Sequence, residues 1–138
     1  MLHFYEQYQQ GYYQEVYDDL LALQDQIYKP SLYEDASAIM RSIMQRVRIN
    51  TERIMQRLPN IGFVYSKGLA RHFTTEHEKE VYEKTFPLFQ PPKSDVQEQV
   101  ALLEQLSGSL PLSLRFFYEE VGYVNFVGAF SSMKAEDA

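Results

Sequence analysis

Apolar residues recur at helical spacing along most of this chain. In the first segment, about residues 3–28, Tyr5, Tyr12, Val16, Leu20, Leu23 and Ile27 fall on one face at steps of seven, four, four, three and four. Gly11 interrupts the pattern and marks a kink or the true start. Glu15, Asp18, Asp19 and Asp25 lie off the apolar face, and Lys29-Pro30 closes the helix. Ser31 with Glu34 then reads as a capping box opening a second helix. Its stripe runs Ala36, Met40, Ile43, Val47, Thr51, Ile54 and Leu58, widened by Ile39, Met44 and Met55, and stops at Pro59 and Gly62. About 27 residues of helix reach roughly 40 Å, which predicts a bend near Arg48-Ile49-Asn50. The short link between Tyr28 and Ser31 predicts an antiparallel hairpin over residues 3–62.

After the hairpin the periods shorten. Residues 63–66 read as a strand or an extended link, too short to decide. Thr75 with Glu78 is a second capping box, whose short helix ends at Phe86-Pro87. Gln90-Pro91-Pro92-Lys93 reads as a hinge. Ser94 with Gln97 caps a further helix with Val96, Val100, Leu103 and Leu106 on its face and Gly108 at its end. A last helix starts at Leu110-Pro111, with Leu110, Leu114, Phe117 and Val121 in register and Gly122 just beyond it. Residues 123–128 read as a strand and Ser131–Ala138 as a frayed tail. The fold class expected is mostly α in one domain, 1–138: a helical hairpin (3–62), a second helical layer (75–122), and a short strand and tail (123–138). At most a small β element is expected, near 63–66 and 123–128.

Composition narrows the chemistry. The 138 residues suffice for one core, and 45% hydrophobic with 23% charged residues favours a folded chain. Cysteine is absent, which removes disulfides and thiolate chemistry and fits a cytoplasmic protein. The first residues lack the basic-then-apolar layout of a signal peptide, and no apolar run approaches the ~20 residues of a membrane span. A net charge of −6 argues against general affinity for nucleic acid or anionic lipid. Eleven Tyr and nine Phe stand beside no Trp, and Tyr5, Tyr8, Tyr12, Tyr13 and Tyr17 crowd the N-terminus. Such rings suit the edge of a core, or a partner surface anchored by Tyr5, Tyr8 and Tyr13.

Five of the seven arginines sit on the second helix: Arg41, Arg46, Arg48, Arg53 and Arg57. Together they could make a nucleic-acid surface. At 100° per residue, however, Arg46, Arg53 and Arg57 line one flank of the apolar stripe and Arg41 and Arg48 the other, as arginines do when their stems cover a core edge. The acids of the first helix are available to pair with one flank. Asn50 lies at the margin of the stripe, either fixing helix register or solvated. His72 and His77, five apart, do not share a helical face, and Glu76, Glu78 and Glu80 scatter around one, so no metal site is predicted. No Gly-rich phosphate loop, G-x-S-x-G or H-E-x-x-H occurs, and neither catalytic residues nor a cofactor is predicted.

The stretch from Gly108 to Gly128 carries a resemblance. Leu110-Pro111 leads an aromatic-rich helix, Gly122 ends it, and Val124-Asn125-Phe126-Val127-Gly128 follows. This resembles the opening of SUKH-superfamily domains, which include yeast cell-wall-assembly regulators and bacterial toxin-immunity proteins. The run Arg57-Leu58-Pro59-Asn60-Ile61-Gly62-Phe63 is similar to what precedes the motif in some bacterial proteins. The resemblance implies a helix packed on a mixed sheet, no catalysis, and binding of a protein partner. Domains of that family carry several further strands after the position of Gly128, so it also implies a truncated relative whose last strand offers an edge. The leading expectation is a non-enzymatic, immunity-like protein-binding module, with Tyr5, Tyr8, Tyr13, Phe126 and Val127 as its partner surface. Its partner is another protein, the chain itself included. The alternatives are a nucleic-acid binder using the five arginines and a remnant without independent activity.

Overall fold

The computed structural model describes residues 4–65 and 72–130; His3, Ser66 and the tail from Ser131 lie outside them. The chain is mostly helical. The elements are α1 (Phe4–Gln9), α2 (Tyr13–Leu23), α3 (Pro30–Arg57), β1 (Phe63–Tyr65), α4 (Glu76–Thr85), β2 (Phe89–Gln90), α5 (Val96–Ser107), α6 (Leu112–Phe116), β3 (Tyr123–Val124) and β4 (Gly128–Phe130). Short 3₁₀ turns follow α2 and α3, and a π turn, Phe117–Val121, continues α6.

The first segment is not one helix. Gly11 sits in a turn, and the chain folds back there. α1 begins beside Asp35, whose carboxylate accepts hydrogen bonds from the amides of Phe4 (2.8 Å) and Tyr5 (3.1 Å). Those amides are unsatisfied helix-start donors, so an acid remote in sequence caps α1. Tyr8, in the last turn of α1, lies under the Arg46 guanidinium, so α1 runs along α3 in the same direction. α2 starts from Tyr13, also at Arg46, and returns to Pro30, which makes the antiparallel hairpin α2 against α3.

α3 is α-helical without interruption from Pro30, through the expected bend, to Arg57. Pro30 occupies its first turn and Lys29 its cap, so the Ser31–Glu34 box does not form. The core joins Phe4, Tyr8, Val16 and Leu20 to Ala36 and Ile39 and, from far along the chain, to Leu112 and Phe116. Each fully buried side chain of this size contributes about 1.5–3 kcal/mol. Ile54, expected in the stripe, is exposed.

The single strand expected over residues 123–128 is replaced by two, β3 and β4, with a bend between them. β1 pairs antiparallel with β4, setting Phe63 opposite Phe130 and Tyr65 opposite Gly128. β2 pairs antiparallel with β3, setting Phe89 opposite Val124. Between them the Asn125 side-chain carbonyl accepts the Val127 amide (3.3 Å), an Asx turn that ends one strand before the other begins. The buried Asn125 amide nitrogen faces the Tyr65 hydroxyl and the Phe86 carbonyl at 3.3 and 3.4 Å. The register of α6 also differs from expectation: Leu112, Phe116 and Val121 are buried while Leu114 is exposed, because the π turn inserts an extra residue.

The Thr75–Glu78 box forms as the sequence predicts. Glu78 accepts from the Thr74 hydroxyl and amide, both at 2.6 Å, and from the Thr75 amide at 3.3 Å. Hydrogen bonding from Thr74 holds its carboxyl below the usual carboxylate range. A depressed folded pKa stabilises above the unfolded pKa of about 4.3 and loses that contribution as pH falls through the folded value. The protection of the amides at the start of α4, their exchange relative to the intrinsic rate at the same pH, is therefore expected to fall as pH drops through the folded value, and Glu78→Gln to remove this pH dependence. Protection that follows the same pH profile in both proteins would refute it.

Candidate docking groove on the fifth helix

α5 does not bury the face its leucines predict. Of its twelve residues only Val100 is fully buried, while Leu102 is 51%, Leu103 38% and Leu106 80% exposed. A polar anchor sets this rotation. The Glu104 carboxylate accepts the Leu110 amide at 3.2 Å and stands 3.8 Å from the Arg115 guanidinium. Arg115 in turn pairs with Glu119 at 3.0 Å and donates to the Tyr33 hydroxyl at 2.7 Å. Burial works against the charge on Arg115, but the bond to Glu119 and the nearby Tyr33 and Glu104 outweigh it and raise its pKa. With Glu104 turned inward beside Val100, the leucines on the other side of α5 are left to solvent. The helix begins at Val96 after Asp95, so the expected Ser94–Gln97 cap is not made.

Tyr118, brought round by the π turn, faces these leucines. Val96, Val100, Leu103, Leu106 and Tyr118 enclose a groove of about 360 Å³. It continues past Tyr118 into a second concavity of about 210 Å³ floored by Pro91, Pro92 and Tyr123. Both are almost wholly apolar, the kind of exposed surface that marks a contact site.

The residues singled out from sequence lie elsewhere. Tyr8 is a core residue, so it is no exposed anchor, and burial raises its phenol pKa against the pull of Arg46. Tyr5 is half-buried and Tyr13 exposed, its ring edge-on to Tyr8. Phe126 is half-buried and Val127 exposed in the bend between β3 and β4. Glu15, Asp18, Asp19 and Asp25 make no ion pair with the arginines among the described residues. Arg41 pairs with Glu120 at 3.1 Å over the Phe116 ring, and Arg48 pairs with Glu52 at 3.0 Å. Arg46 lies over Tyr8 and Tyr13 and donates to the Tyr13 hydroxyl, which raises its pKa. Arg53 and Arg57 are exposed, as is Asn50. Sequence reasoning missed the groove because it assigned Leu103 and Leu106 to the interior. The available signal was Glu104, an acid on the face shared with Val96 and Val100.

Among the described residues no three His, Asp or Glu side chains are grouped to hold a metal ion, and no helix is long and apolar enough to cross a membrane. Comparison with protein-family models, curated proteins and solved structures finds no match to this chain.

Proposed function

We propose that this chain is a non-enzymatic protein-binding module whose contact surface is the α5 groove. The observation that carries the reading is Leu106, 80% exposed on a helix whose only charged outer residue is Glu98, beside an apolar trough ending at Tyr118. Its mechanism is occlusion: a partner side chain fills the trough while the leucines exclude water around it. An immunity-like, cytoplasmic role is the form of this reading that the resemblance over residues 108–128 favours. Nucleic-acid binding has less support, since Arg41, Arg46 and Arg48 are engaged by carboxylates or aromatic rings of the same chain.

The test compares the immobilised chain with its Leu106→Asp variant, in a lysate of the source with and without nuclease. A protein retained stoichiometrically by the parent and lost at least tenfold on the variant is the expected result. Equal retention by both proteins would overturn the groove. Retention that nuclease abolishes would move the arginine helix to the front.

A further inference from the structure

Taking the groove as a docking surface, we infer that its occupant is a second copy of this chain, which inserts the C-terminal end of α3 and joins copies head to tail. That end of α3 is the groove's complement in both shape and charge. Ile49, Arg53, Ile54 and Arg57 fall within about 140° of arc on a helix of 100° per residue. Ile49 and Ile54 are each 47% exposed, and Ile61, in the 3₁₀ turn that continues the helix, is 64% exposed. Arg53 and Arg57, on the same face, form no ion pair among the described residues. In a chain of net charge −6 this is a cationic apolar ridge whose counter-charge no described residue supplies.

The groove offers what the ridge lacks. Its leucines meet isoleucines, and Asp95 and Glu98, at the end of α5 that opens toward Pro91 and Pro92, form no ion pair among the described residues. The Asp95 carboxylate accepts only a long hydrogen bond from the Gln99 side chain, at 3.5 Å. Lys93, also at that end, leaves the rim acidic in balance. The lengths agree: α5 has twelve residues, about 18 Å, and the twelve steps from Ile49 to Ile61 cover a similar distance. A symmetric pairing of α5 with α5 would instead leave Asp95 and Glu98 with no arginine to meet them. Ridge and groove are different patches of one chain, so the contact is heterologous and propagates into a ring or an open string.

Two variants with exposed substitutions test this: Leu106→Asp blocks the groove, and Arg53→Glu with Arg57→Glu blocks the ridge. Circular dichroism checks that each folds, and sedimentation velocity at rising concentration reads the mass. The parent is expected to grow beyond a dimer, and each variant alone to remain monomeric. An equimolar mixture keeps one intact ridge and one intact groove, and is expected to give a complex of twice the monomer mass that grows no further. A ridge variant that still dimerises, or a mixture that stays monomeric, would overturn the head-to-tail contact. A parent monomeric at every concentration would also overturn it, while the groove reading would still be decided separately by capture with Leu106→Asp.

Discussion

Gly122→Ala is expected to cost about 3–5 kcal/mol of folding stability, several times the cost of the same change at Gly108. Both glycines have positive φ, +91° and +86°, so both variants bear the backbone penalty of about 1–2 kcal/mol for an L-residue there. They differ in what a new methyl group meets. At Gly108 there is nothing within 4 Å, whereas at Gly122 it would lie 2.3 Å from the Gln90 carbonyl oxygen and 2.8 Å from the Pro92 nitrogen. These are backbone atoms and cannot rotate aside, so the strand pair β2–β3 has to part. Pro91 and Pro92 floor the groove, and displacing them also unmakes the pocket beside Tyr118. Urea unfolding followed by far-ultraviolet circular dichroism measures both variants. Equal losses would show that conformation alone, and not the close approach, makes glycine necessary at 122.

That close approach illustrates what was legible in the sequence and what was not. Gly122 reads as helix punctuation from its neighbours, but that it touches Gln90 and Pro92 depends on a pairing thirty residues away. Thr75 and Glu78 were readable because both halves of the cap lie three residues apart, and the hairpin because α2 and α3 each carry their own period. Ser31–Glu34 has the same spacing, yet Pro30, with φ already set for a helix, started α3 two residues sooner. The cap that does form near there, Asp35 on the start of α1, joins residues thirty apart and leaves no local trace. Period also misled where a non-local polar contact competed with it. Arg115 pulled Glu104 inward and turned Leu106 outward, and the π turn shifted α6 so that Phe116 faces the core in place of Leu114. The candidate site arose from these two departures, so a pattern of apolar spacing alone could not have located it.

Arg115→Met is the second change expected to have a large effect, about 2–3 kcal/mol, and it tests the anchor that turns α5. Methionine keeps most of the apolar stem of arginine, so packing is largely retained while the charge is removed. What remains is Glu119, whose side chain is only 7% exposed, with its ion pair gone. Breaking a buried pair from one side costs about 3–5 kcal/mol, and we discount that here because Arg115 is itself 32% exposed and Glu104 25%. Removing both partners has a different consequence. Arg115→Met with Glu119→Leu removes both charges of that pair and leaves Glu104 on the Leu110 amide, and an apolar pair of similar volume is often neutral or stabilising. The double variant is therefore expected to regain most of the loss, with a coupling of about 1–3 kcal/mol between the two sites in a double-mutant cycle. Additive losses would mean that the two charges do not sense one another. The groove follows the same logic: without Arg115 the inward pull on Glu104 weakens and the leucines of α5 are free to turn in. Exposure of Leu106, read by the reactivity of a cysteine placed there, should fall in Arg115→Met and stay low in the double variant, because regained stability does not restore the anchor.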